Sequence, residues 1–63
     1  MNTVYKGFDI TLTAGEAWIA TITRIATGKS FSKRPETPLE EGADAALTRA
    51  KNLVDAFLAL NGR

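Results

Sequence analysis

Residues 4–13 read VYKGFDITLT, and their alternation decides the fold class. Val4, Phe8, Ile10 and Leu12 fall on one side of an extended chain, and Tyr5, Asp9, Thr11 and Thr13 on the other. A period of two belongs to a half-buried strand, and β-branched and aromatic residues favour the same state. Gly7 breaks the pattern mildly, as a bulge or a close packing contact does.

Working outward, Ala14-Gly15-Glu16 reads as a tight turn. Residues 17–26, AWIATITRIA, read as a second strand with Trp18, Ala20 and Ile22 on one face and Ile19, Thr21, Thr23 and Ile25 on the other. Large apolar groups on both faces predict burial on both faces. Thr27-Gly28-Lys29 is the next turn, and Ser30–Lys33 is a short third strand with Phe31 inward. Pro35 ends it, because proline cannot donate to a ladder.

A capping box comes next. Thr37 stands at N-cap, Pro38 at the first helical position and Glu40 at the third, a spacing that satisfies two backbone amides reciprocally. Leu39, Ala43, Ala46, Ala50, Leu53, Phe57 and Leu60 then recur at alternating four and three spacing, widened by Leu47, Val54 and Leu58. That stripe predicts one amphipathic helix ending at Asn61-Gly62. Gly42 falls inside it, at a cost of about 1 kcal/mol against alanine.

The expected architecture is therefore α+β, a three-stranded antiparallel meander with one long C-terminal helix packed on one face. It forms a single β-β-β-α domain over residues 1–63. The expected core is Phe8, Ile10, Leu12, Trp18, Ala20, Ile22, Phe31, Leu39, Ala43, Leu47, Ala50, Val54 and Phe57.

Composition restricts function. The 63 residues include no Cys and no His. Disulfides, thiolate metal sites and the usual neutral-pH general base are thereby excluded. Net charge is +1, but Arg24, Lys29, Lys33 and Arg34 precede Glu36, Glu40, Glu41 and Asp44, so the chain is a charge dipole along its length. No apolar run reaches the roughly 20 residues of a membrane span. No basic-then-apolar leader pattern opens the sequence, and a cytoplasmic location is expected.

Gly28-Lys29-Ser30 ends like a phosphate loop, but Thr23 holds the position of its first glycine and a strand succeeds it in place of a helix. The acidic cluster is explained by the helix dipole alone. No catalytic, cofactor-binding or metal-binding residues are assigned, and an enzyme is not expected. Lys29, Lys33 and Arg34 are candidate nucleic-acid contacts through phosphate, although the acidic segment after them would repel a polyanion. Ile19 and Ile25, with Tyr5 beside them, form a candidate homodimer interface on the sheet face away from the helix.

The order strand–strand–strand–helix carries Tyr5-Lys6-Gly7-Phe8, Trp18-Ile19-Ala20, a Gly28 turn and Thr37-Pro38-Leu39-Glu40-Glu41-Gly42 opening the helix. In these marks the chain resembles small bacterial β-β-β-α proteins grouped with the HicB antitoxins. It departs from those antitoxins in lacking a Pro-Asp-Leu-Pro-Gly-like segment after the second strand, and it ends with its helix where they carry a DNA-binding extension. The resemblance implies a non-enzymatic interaction module that binds a protein partner. The alternative is a small nucleic-acid-binding accessory protein using the basic hairpin.

Overall fold

A computed structural model describes residues 1–61. Its strands are β1 (Asn2–Tyr5), β2 (Phe8–Ala14), β3 (Ala17–Arg24) and β4 (Glu36–Pro38), and a 3₁₀ turn at Leu39–Glu41 leads into helix α1 (Gly42–Asn61). The four strands form one antiparallel sheet in the order β1-β2-β3-β4. The fold is thus α+β, an antiparallel meander with one C-terminal helix, and it has four strands where three were expected.

The extra strand comes from the stretch read as one. Lys6 and Gly7 both have positive φ, 50° and 84°, and close a two-residue hairpin between Tyr5 and Phe8. Two positive φ angles in succession make the turn whose twist matches the flanking strands. Asn-Gly or Asp-Gly usually marks it, and Lys-Gly does not. The turn also resets the alternation. Tyr5 and Phe8 are cross-strand partners, so they share the helix-facing side. Val4 pairs with Asp9 on the other side and is 64% exposed.

The end of the sheet differs as well. Ser30 makes a single bridge to Thr23, and the Phe31 amide donates to the Ile22 carbonyl at 2.8 Å. Pairing resumes at Pro35, whose carbonyl accepts from the Ala20 amide at 3.0 Å, and then runs as β4 opposite Ala17–Ile19. The chain from Ser30 to Glu36 contains two residues more than the β3 segment opposite it. The surplus is extruded as a bulge that exposes Ser32, Lys33 and Arg34. Proline does interrupt the ladder, but the pairing continues beyond it.

No capping box forms. Thr37 lies in β4 opposite Trp18, on the core side, and is 1% exposed. Its hydroxyl accepts from Arg49 Nη1 at 3.2 Å. The helix begins five residues later at Gly42, where φ is 87° and ψ is 165°, a conformation almost restricted to glycine. Gly42 is thus a start signal, and no helix-interior penalty applies. Leu39, expected in the core, sits in the 3₁₀ turn and is 44% exposed. Gly62, half of the expected helix stop, lies outside the described residues.

The rest of the core stands on the expected side. Phe8, Ile10, Leu12, Ala20, Ile22, Ala46, Ala50 and Val54 are buried between sheet and helix. Trp18, Phe31, Ala43, Leu47 and Phe57 are half-buried against them. Ala46 and Ala50 let α1 approach the sheet closely, and Val54 and Phe57 fill the wider end. Each large side chain fully buried here contributes roughly 1.5–3 kcal/mol.

Candidate functional site

Strand direction sorts the charges. Ala17 pairs with Pro38, so the β2–β3 turn, the 3₁₀ turn and the start of α1 share one end of the molecule. Glu16, Glu40, Glu41 and Asp44 belong to that end. Phe8 pairs with Arg24, and the Ile25 amide donates to the Gly7 carbonyl at 3.1 Å. Lys6, Arg24 and Lys29 therefore gather at the opposite end. Asp9 and Asp55 lie at this end too, Asp55 paired with Lys6, so its excess of positive charge comes from Arg24 and Lys29.

Aromatic rings floor the cationic end. Phe31 and Phe57 lie 5.1 Å apart between centroids, and Phe8 meets both edge-on at 5.5 and 5.8 Å. The Arg24 guanidinium sits 5.8 Å from the Phe8 and Phe57 centroids, a cation–π arrangement. Arg24 projects this way because it comes two residues after Ile22 on the core side of β3, just past the buried part of the strand. Its position against those rings was not legible, since it requires Phe57, 33 residues later, to arrive beside it.

Two hollows flank the Phe31–Phe57 pair. One is an open groove of about 410 Å³ between the bulge and the last turns of α1, lined by Phe31, Lys33, Leu53, Ala56, Phe57 and Leu60. Leu60 is 82% exposed at its edge. The other measures about 360 Å³ and is lined by Arg24, Thr27, Lys29, Ser30, Phe31 and Phe57. Gly28, with φ 72°, turns the chain around this second hollow, and the Thr27 hydroxyl accepts from the Lys29 amide at 3.3 Å.

The expected nucleic-acid contacts Lys29, Lys33 and Arg34 are all exposed on the Ile25–Pro35 excursion. Among the described residues none of them makes an ion pair, and the same holds for Arg24. The three residues grouped as a dimer surface separate. Ile19 is half-buried on the outer sheet face, and Ile25 lies in the turn after β3, 56% exposed. Tyr5 faces the helix, because the Lys6-Gly7 turn reversed its side.

Tyr5 has a specific environment there. Its hydroxyl donates to the Asp55 carboxylate at 3.0 and 3.1 Å, and Lys6 Nζ donates to the same carboxylate at 2.9 Å. Lys6 and Lys51 each place an ammonium 5.2 Å from the Tyr5 ring centroid. The bond from Lys6 holds the Asp55 carboxyl below its ordinary value, with Tyr5 adding to the effect against partial desolvation. The same bond to Asp55, more than the neighbouring Tyr5 hydroxyl, raises the Lys6 ammonium above its ordinary value. This cluster ties β1 to α1. At the other end Arg49 ties α1 to β4, donating to Thr37 and, from Nη2, to Glu41 at 2.9 Å.

Among the described residues no three acidic side chains converge as a metal site would require, and no helix is long and apolar enough to cross a membrane. No protein-family model, curated protein or solved structure matches this chain.

Proposed function

We propose that this protein is a small non-enzymatic interaction module, HicB-antitoxin-like in form, that binds a protein partner through the groove beside its cationic end. The supporting observation is the groove itself. Phe31, Leu53, Ala56, Phe57 and Leu60 offer an apolar channel, with Lys33 on its wall. An apolar segment flanked by acidic residues is the complementary partner chemistry. The test starts from gene neighbourhood. A small toxin-like product encoded next to this chain should co-purify with it, and Leu60→Glu should abolish the complex without changing the fold. Independent migration of the two wild-type proteins at tens of micromolar ends this reading. A cytoplasmic homodimer belongs to the same proposal.

A second reading, a nucleic-acid-binding accessory protein, draws support from the charge separation. Lys29, Lys33 and Arg34 are exposed on one excursion, and the acidic residues of the helix start belong to the far end of the sheet. Three phosphate contacts predict a slope of about −2 to −3 in log affinity against log salt on duplex DNA. No binding at low salt removes this reading.

A further inference from the structure

We infer that the hollow between Arg24, Lys29, Phe31 and Phe57 is a binding site for a nucleotide. Phosphate would be held by the two cations, and the base would lie against the two rings. Four observations carry the assignment. The hollow, about 360 Å³, is of the size that small ligands occupy. Arg24 and Lys29 both line it, and neither is ion-paired among the described residues. The Arg24 guanidinium lies 5.8 Å from the Phe8 and Phe57 centroids, a cation–π contact that favours its placement beside the hollow. Phe31 and Phe57, both half-buried, line the same hollow, and a base would rest against the ring surface they leave uncovered. A phosphate alone needs only the cations, and an apolar peptide needs only the rings. The combination within one small hollow fits a phosphate ester that carries an aromatic base. The turn that shapes the site, Thr27-Gly28-Lys29, has neither the glycine spacing of a phosphate loop nor a helix after it.

This inference deepens the nucleic-acid reading, since a free mononucleotide and one unit of a single strand share the chemistry. It is independent of the protein-partner reading. The experiment is an amide-proton NMR titration of the full chain with adenosine monophosphate, inorganic phosphate and a labelled eight-residue oligothymidine, with anisotropy for the last. The expected result is that mononucleotide or oligonucleotide shifts the amides of residues 27–31 and of Phe57. Inorganic phosphate should leave Phe57 unmoved. Lys29→Gln, an exposed change, should weaken binding about tenfold, as should Arg24→Gln. Phe31→Leu, which keeps the apolar contact, should weaken it about fivefold or more. Lys33→Gln with Arg34→Gln should lower duplex affinity and leave the mononucleotide titration unchanged. Equal shifts with inorganic phosphate reduce the hollow to an anion site and overturn the assignment. So does oligothymidine binding that leaves residues 27–31 and Phe57 unmoved, although the broader nucleic-acid reading then survives. Mononucleotide binding without oligonucleotide binding keeps the site and removes the nucleic-acid reading.

Discussion

Gly42 shows how one residue can carry opposite signs in two readings. Inside a helix, Gly42→Ala would stabilise the protein by about 1 kcal/mol. At φ 87° and ψ 165° the same change should destabilise it by about 1–3 kcal/mol, because a side chain is strained there even though the space around it is open. Urea denaturation decides between them, and a rise in midpoint would place Gly42 inside the helix after all. Thr37 obeys the same logic. As an N-cap its partner would be a backbone amide; as a buried β4 residue its partner is Arg49. Thr37→Val and Arg49→Met should each cost about 1 kcal/mol, the arginine's share reduced by its exposure. The double variant should cost little more than either single one. Full additivity in that cycle would mean that the 3.2 Å contact carries no coupling.

At the scale of elements, the sequence made some boundaries legible and concealed others for identifiable reasons. Phe8, Ile10 and Leu12 on β2 and Trp18, Ala20 and Ile22 on β3 alternate without interruption, and they stand on the helix side as their period requires. The helical stripe through Ala46, Ala50 and Val54 was equally plain. The β1–β2 hairpin was hidden because Lys6 occupies a left-handed position that asparagine or aspartate usually fills. The helix start was misplaced because Thr-x-x-Glu looks the same whether the threonine caps a helix or sits within an edge strand. Glu40 is exposed and makes no hydrogen bond among the described residues, so Glu40→Ala should change stability by less than about 0.5 kcal/mol. A loss near 1 kcal/mol would revive the cap. The tie between β1 and α1 supplies a pH dependence. Asp55 has a lowered folded-state pKa, so its contribution is present above the ordinary carboxylate value of about 4 and is lost as pH falls through the folded value. Lys6 has a raised one, so its contribution is present below about 10.5 and is lost as pH rises through the folded value. The stability advantage of wild type over Asp55→Asn should therefore be flat near neutrality and shrink at both extremes. An advantage that stays constant from neutrality into acid would show that the Lys6–Asp55 bond at 2.9 Å is energetically silent.

For the whole molecule, the candidate site was half legible. Lys29, Lys33 and Arg34 could be read from composition, whereas the Arg24–Phe31–Phe57 arrangement exists only once the helix has crossed the sheet. The same three-dimensional view narrows how two copies could pair. A face-to-face dimer needs an apolar outer face, and that face carries Asp9, Thr11, Thr13, Thr21 and Thr23, with only Ile19 and Val4 as large apolar residues. Its hydroxyl rows are well suited to water, so sheet stacking would bury little that gains from burial. The free edge of β1 is a better candidate. Met1 exchanges both backbone hydrogen bonds with Leu12, at 2.7 and 3.2 Å. By the alternation of an antiparallel ladder, Thr3 and Tyr5 also turn inward, and Asn2 and Val4 direct their amides and carbonyls outward. An open edge beside an exposed valine is the kind of surface that a second β1 can pair with across a two-fold axis, extending four strands to a continuous eight. The homodimer, if it forms by this route, should survive Ile19→Lys and be abolished by Val4→Pro, which removes an outward amide and leaves the inward ladder bonds in place. Sedimentation equilibrium at hundreds of micromolar measures both, with thermal unfolding of the proline variant as the check on its fold. A wild type that remains at 6.8 kDa ends the dimer proposal, and a dimer lost in Ile19→Lys but kept in Val4→Pro would return the interface to the outer face.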